Sequence, residues 1–258
     1  MDAQTLAAAM GNRLGGAAEY ARFVDGMNAA MIAADINSPL RAAHWCAQIG
    51  HESAGLRYME EIASGDAYEW RGDLGNTQPG DGRKFKGSGP IQLTGRANFT
   101  RFSQWAWEHN HIETPDLLVH QPQLVREDPR LGFLAASWYW TVARPQLNSL
   151  CDRDDLVGVT RAINGGTNGI DDRRARLAQC KALGVALLPT PTASTAYLQP
   201  DEILAQLGPG HPSWKPLGRN DNGDPLTLRD AIGVIGREKA ETGRLLRAIA
   251  RPTTGGTP

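Results

Sequence analysis

Between residues 71 and 95 no apolar repeat survives, and seven glycines (72, 75, 80, 82, 87, 89 and 95) stand among polar side chains. A stretch of that length without a periodic stripe has no face to bury, so it has to run as irregular chain across something regular. The flanks supply the regular part. Phe23, Met27, Ala30, Met31 and Ala34 recur at helical spacing, and Ser38 followed by Pro39 is an N-cap with proline in the first turn. Asp128-Pro129 repeats that start ahead of Leu131, Leu134, Trp138 and Val142, and Pro145 stops the run. Asp152 is expected to open another helix, with Leu156, Val159 and Ile163 on one face and Gly165-Gly166 at its end. A further helix starts near Asp171, with Leu177, Cys180 and Leu183 inward. The chain up to about residue 188 therefore reads as mainly α, with a short strand at 90–94.

A length of 258 residues suits one full domain and a smaller appendage. The sequence predicts a main domain over 1–188 and a linker over 189–196, whose Pro-Thr-Ala-Ser composition carries no core residues. A small helical region over 197–250 and a disordered tail over 251–258 follow. Leu228, Ile232, Ile235, Thr242, Leu246 and Ile249 form an amphipathic stripe in the third part. Packing on the main domain is its first reading, wall binding or oligomerisation the others. Asn220 to Asp224 reads as a turn rather than a cation loop. A net charge of −1 gives no global pull toward nucleic acid. No apolar run approaches the roughly 20 residues of a membrane span, and Met1 to Gly16 lacks the basic start and apolar centre of a signal peptide. Cys46, Cys151 and Cys180 have neither paired nor metal-type spacing. They read as reduced and buried, with a Cys151–Cys180 bridge as the alternative.

The chemistry-bearing residues begin with His51-Glu52-Ser53-Ala54-Gly55. Glu52 falls in the last turn of the helix begun at Ser38, three residues after Ile49 and seven after Trp45, so it shares their face. Desolvation there is expected to keep its carboxyl protonated, as an acid donating to a glycosidic oxygen requires. A salt-bridged or exposed terminal glutamate is the plainer reading. A zinc site is excluded, because H-E-x-x-H needs a second histidine where Gly55 stands. Glycoside cleavage with inversion needs a second carboxylate roughly 6.5 to 9.5 Å away. Glu60, Glu61 and Glu69 are the candidates. In an unbroken helix Glu61 would sit about 13.5 Å along the axis on the far side, so a break is required, and Gly55 is its expected place. A strand at 90–94 would put Gln92 and Thr94 on one face, where an amide and a hydroxyl could hold sugar and water. Asn164-Gly165-Gly166 offers a further amide at a helix end, though such a sequence is more often only a cap.

The motifs A-Q-I-G-H-E-S-A-G-L-R-Y-M-E-E (47–61), G-x-G-P-I-Q-L-T-G-R-x-N-F (87–99) and I-N-G-G-x-N-G (163–169) together resemble glycoside hydrolase family 19, in particular its phage endolysin branch. The resemblance implies a lysozyme-like, two-lobed helical domain with a long glycine-rich active-site loop and an inverting mechanism without metal or cofactor. It implies Glu52 as general acid, Glu61 as general base and Thr94 as a holder of the attacking water. His51, Gln92, Asn98 and Asn164 take sugar-binding or supporting positions, and Arg173 that of an arginine tuning the base. Glu69 stands in reserve as base. One departure is Gly87-Ser88-Gly89-Pro90, where relatives carry Gly-Arg-Gly-Pro; Lys86 or Arg83 is the expected substitute for the missing cation. The expected substrate is the glycan strand of peptidoglycan, with no nucleic acid partner and no membrane insertion. The expected setting is the host cytoplasm until release through a holin. Chitin is the alternative substrate, and a non-catalytic wall-binding or virion protein the alternative of another class.

Overall fold

The computed structural model describes residues 1–190. The chain divides into two units, Met1–Thr195 and Ala196–Pro258, and the described residues belong to the first. Most of the expected linker, the 220–224 turn, the stripe at 228–249 and the tail lie outside the described residues. Within the described part the helices are α1 (Ala3–Ala9), α2 (Ala17–Ala33), α3 (Pro39–Glu52), α4 (Asp81–Lys84), α5 (Arg96–Glu108), α6 (Leu117–His120), α7 (Leu124–Glu127), α8 (Pro129–Trp138), α9 (Leu147–Asp152), α10 (Leu156–Asn164) and α11 (Ile170–Leu183).

The caps explain the starts. Ser38 Oγ accepts from the Arg41 amide at 3.2 Å with Pro39 at the first position, and Asp128 accepts from the Arg130 amide at 2.8 Å ahead of Pro129. Each such cap is worth about 1 kcal/mol. The expected start at Asp152 is corrected. Residues Leu147–Asp152 form their own short helix, Asp154 turns left-handed (φ 55°), and Asp155 caps α10 by accepting from the Gly158 amide at 2.8 Å. A π-helical turn, Tyr139–Ala143, carries α8 on toward Pro145.

In the core α3 packs chiefly on α11, and α2 on α8. Trp45 of α3 lies 4.9 Å from Trp140 between ring centroids, and its indole N–H points at Met27 Sδ at 3.3 Å. Phe23 meets Phe133 edge-on at 6.2 Å. Trp138 and Trp140 are buried, whereas Trp107 is exposed. All three cysteines are free and buried. Cys180 lies against Cys46, and that contact with burial pushes the Cys46 thiol up, so the Cys151–Cys180 bridge is not formed.

Near the glycine loop the expected break at Gly55 holds and extends to its neighbours, whereas the expected strand does not form. Helix α3 ends at Glu52 with Ser53 as its cap, and the break is made by three consecutive left-handed residues, Ala54, Gly55 and Leu56. Ser53 holds it, donating to Ile49 O at 2.7 Å and accepting from the Leu56 amide at 2.8 Å. Gly55 is required by crowding as well as by φ: a Cβ there would sit 2.5 Å from Met10 O. The strand at 90–94 does not form. Gln92 is left-handed (φ 55°), and the chain closes instead through isolated bridges of Ser88 with Leu93 and with Glu60.

Candidate active site

Glu52 closes α3 with its side chain 17% exposed, and Arg173 Nη2 donates to its Oε1 at 2.6 Å. Arg173 is itself 1% exposed. Its Nη1 donates to Gln48 Oε1, one turn before Glu52 on α3, and its Nε reaches the Asn168 carbonyl at 3.3 Å. Trp45 and Ile49 are fully buried, yet Glu52 is bonded by a guanidinium rather than set against the apolar wall expected from them. His51, the preceding residue, bonds Asp172 at 2.7 Å through Nδ1, and Asp172 also accepts from Arg176 Nε at 2.7 Å. Burial works against the Asp172 charge, but these two partners outweigh it and hold the carboxyl below its usual range. Asn164, at the end of α10, donates to the Asn168 carbonyl at 3.1 Å and accepts from the Gly166 amide at 2.8 Å. The ends of α3 and α10 and the start of α11 thus meet around one carboxyl.

Glu61 belongs to a second cluster. Its Oε1 accepts from Tyr68 Oη at 2.9 Å and its Oε2 from the Gly87 amide at 2.8 Å. Burial and the Glu61 charge together push the Tyr68 hydroxyl up. Gly87 is crowded from both sides: a Cβ there would stand 2.5 Å from Gln92 Oε1 and 3.1 Å from Glu61 Oε2. Only glycine lets these two side chains share the space. Gln92 donates to Gly89 O at 2.9 Å, Thr94 Oγ1 to Gln92 O at 2.9 Å, and Asn98 Nδ2 to Thr94 O at 2.9 Å. Gln92, Thr94 and Asn98 are thus joined by successive hydrogen bonds, and Gln92 shares the space over Gly87 with Glu61.

Buried polar side chains shape the glycine loop. Asp81, 1% exposed, accepts from the Thr77 and Gln78 amides at 3.0 Å each and pairs with Arg96 at 2.8 Å. Arg96 holds its carboxyl below the usual range against the opposing effect of burial. Asn76 donates to Tyr68 O at 2.8 Å and accepts from the Arg96 amide at 2.8 Å. Glu69 accepts from the amides of Gly80 and Gly82 at 2.7 and 2.8 Å. Its carboxylate is thereby bound to the loop backbone. Ser88, where the resemblance implied an arginine, is fully buried and donates to Lys86 O at 2.8 Å. Lys86 reaches the Glu61 carbonyl at 3.1 Å and Glu60 at 2.9 Å, while Arg83 is engaged with Asp66.

The expected site residues thus fall into two groups. His51, Glu52, Asn164 and Arg173 gather at the helix ends; Glu61, Gln92, Thr94 and Asn98 gather on the loop. Arg173 sits on Glu52, not on Glu61 as the resemblance implied. Three participants had escaped the sequence reading. Gln48 was recognisable in principle, four residues before Glu52 on the same helical face. Asp172 adjoins Arg173, and Tyr68 stands seven residues beyond Glu61, but neither spacing carries a pattern of its own.

A family model described as class I chitinase, of glycosyl hydrolase family 19, matches residues 27–161, just over half of the chain. A second model, the Rv3766 C-terminal domain, matches residues 193–243. A glycosyl hydrolase family 19 domain-containing protein of Haemophilus influenzae is 28% identical over 165 residues, covering 52% of this chain and 75% of that protein. Basic endochitinase CHB4 of Brassica napus is 30% identical over 148 residues, 54% of this chain, and the match spans 50% of that relative. In fold, chitinase C from Streptomyces griseus superposes with a TM-score of 0.51 at 23% identity, over 72% of this chain and 75% of that one. By the family model, with relatives that share its sequence and a solved structure that shares its fold, this chain belongs to glycoside hydrolase family 19 and is a glycoside hydrolase.

Proposed function

We propose that the chain hydrolyses the β-1,4 glycosidic bonds of bacterial peptidoglycan with inversion, Glu52 donating the proton and Glu61 acting as base. In this reading it serves as a phage endolysin, made in the host cytoplasm and released to the wall through a holin. The observation that carries the mechanism is the unequal holding of the two carboxyls. Glu52 has one oxygen on Arg173, and among the described residues no donor reaches Oε2. That oxygen is the one free to carry a proton to a leaving group. Glu61 has a donor on each oxygen and keeps lone pairs on both, which suits a base that orients a water and takes its proton. Thr94 Oγ1 donates to Gln92 O and retains acceptor capacity for that water. As water adds at the anomeric carbon, its proton passes to Glu61 while the C–O bond breaks and Glu52 protonates the departing oxygen. No covalent sugar intermediate is formed.

Chitin is the second reading, favoured by the endochitinase names of the relatives. Digestion of purified peptidoglycan and of a chitin oligomer separates the two, with new reducing ends identified by mass spectrometry. Muramic-acid reducing ends support the muramidase, soluble N-acetylglucosamine oligomers move the substrate to chitin, and no cleavage of either overturns the enzymatic reading. Glu52→Gln and Glu61→Gln are each expected to lower kcat by about 10²- to 10⁴-fold. Glu69→Gln is expected to lower it less than about fivefold, since one amide-accepting oxygen remains. Equal losses at Glu61 and Glu69 would remove Glu61 from the base position.

A further inference from the structure

The segment that joins Glu52 to Glu61 also borders a cavity. Residues 56–60 form one wall of a cavity of about 380 Å³, completed by Arg22 and Phe23 of α2 and by Arg126, Glu127 and Pro129 from α7 and α8. Neither Glu52 nor Glu61 lines it. Three guanidinium groups do. Arg126 is nine-tenths buried and fixed by Glu60 at 2.9 Å and by Lys84 O at 2.8 Å, while its Nε is buried with no acceptor. Glu60 is claimed a second time by Lys86 at 2.9 Å, and Lys86 with Arg126 holds its carboxyl below the usual range even though burial opposes this. The acidic group of that wall is therefore neutralised from two sides.

Arg22 and Arg57 are different. Each lies over a ring at the cavity, Arg22 at 4.6 Å from Phe23 and Arg57 at 5.5 Å from Tyr58, and among the described residues neither takes part in an ion pair. A guanidinium resting on an aromatic face keeps its N–H edge free for a planar anion. Besides Glu60, which Lys86 and Arg126 pair, the lining carries one further carboxylate, the exposed Glu127. A neutral sugar would need a bare aromatic face to stack on, and here cations lie over both rings. The lining suits a chain with an apolar body and carboxylate groups.

We propose that this cavity binds the carboxylate-bearing peptide attached to the peptidoglycan glycan, held by Arg22 and Arg57 with Arg126 as a fixed positive charge behind them. The inference rests on the peptidoglycan reading above and adds a reason for it, since chitin carries no such peptide. The site also has a route to the chemistry. Its wall leads directly into Glu61, the Met59 carbonyl accepts from the Gly89 amide at 2.8 Å, and the Gln92 amide reaches the Tyr58 carbonyl at 3.4 Å. A peptide seated here would set the register of its sugar against the two carboxyls.

The test compares wild type with the double variant Arg22→Gln/Arg57→Gln on intact peptidoglycan and on glycan strands freed of peptide by an amidase. Loss of two charge-assisted contacts is expected to lower kcat/KM on the intact polymer by about tenfold, mostly through KM, and on stripped strands by less than about twofold. In parallel, Glu52→Gln protein is titrated calorimetrically with the synthetic tripeptide L-Ala-γ-D-Glu-diaminopimelate and with its fully amidated form. The acid is expected to bind, the amide to bind at least about tenfold more weakly, and Glu127→Gln to tighten the acid. Equal losses on both polymers, no loss on either, or equal binding of acid and amide would overturn the peptide site while leaving the hydrolase reading intact. If wild type leaves peptidoglycan uncut, the parent reading fails, and the titration still decides whether the cavity takes a carboxylate peptide.

Discussion

Glu52 and Glu61 are nine residues apart and are held by opposite kinds of structure. Glu52 stands where helices converge, on a guanidinium that also binds Gln48, with His51, Asp172 and Arg176 in the adjoining layer. Side chains from helices far apart in sequence hold it. Glu61 stands on irregular chain and is held by one phenol and one backbone amide, within a loop that Asn76, Asp81 and Glu69 tie to itself. Under the proposed mechanism the difference suits two tasks. An acid that must present one oxygen in a fixed direction gains from a buried, over-determined partner, whereas a base that has to accommodate both a water and a sugar gains from a setting with room for glycine-level approach.

The largest effect is expected where the helical side loses its guanidinium. Arg173→Ala leaves Gln48 and Glu52 facing a gap, and breaking a buried pair by removing one partner costs on the order of 3–5 kcal/mol. Urea denaturation should show that loss as a lower midpoint. Adding Glu52→Gln should restore part of it, because the unpaired charge is then gone. If the two substitutions are additive, the pair is not the link that holds this side together.

A smaller effect is expected on the loop side. Tyr68→Phe removes the donor on Glu61 Oε1 and leaves the Gly87 amide on Oε2. We expect kcat to fall about tenfold with little change in KM, and stability to fall by no more than about 1 kcal/mol. An unchanged kcat would mean that the loop positions Glu61 without the phenol. A stability loss as large as that of Arg173→Ala would erase the contrast between the two regions.

How far the two sides could be read in advance follows the same division. The helical side was written in local signals: Ser38-Pro39 and Asp128-Pro129 are caps whose partners lie two or three residues on, and they mark α3 and α8 where the structure has them. What joins those helices was not readable. Arg173 reaches Gln48 and Glu52 across more than 120 residues, and spacing along the chain does not say which carboxyl a distant arginine meets. On the loop side Glu61, Gln92, Thr94 and Asn98 are named by the sequence as candidates, but the strand expected to set Gln92 and Thr94 on one face is absent. Its apolar-polar alternation at 91–94 is outweighed by Gly87, which draws Gln92 and Glu61 into one space, and by the left-handed turn at Gln92 itself. A period-2 pattern over four residues is too short to outweigh a turn fixed by tertiary contacts.

Acid should separate the two regions, by the smallest of these effects because it turns on one histidine. His44 of α3 is fully buried, bonded through Nε2 to Asp154 at 2.9 Å, with its Nδ1 unmet and Lys181 of α11 on the same Asp154. Burial lowers its proton affinity, the Asp154 hydrogen bond and charge oppose that, and Lys181 adds to the lowering. The folded state therefore binds this proton less readily than the unfolded chain. Its stabilising contribution is complete above the ordinary histidine range, about pH 6.5, and is lost as pH falls through and below it. Asp81 on the loop side titrates lower. Arg96 depresses its carboxyl, so its contribution is present above about pH 3.9 and is lost as pH falls toward the folded value. Between those limits the amides of α3 and α11 should lose hydrogen-exchange protection while those of Thr77 and Gln78, which bond Asp81, keep theirs. His44→Gln should flatten the fall of Tm that sets in below about pH 6.5 and leave the carboxylate-range fall in place. Simultaneous loss of protection in both regions would mean that the helical and loop sides open as one unit, and that their different bonding does not make them independent.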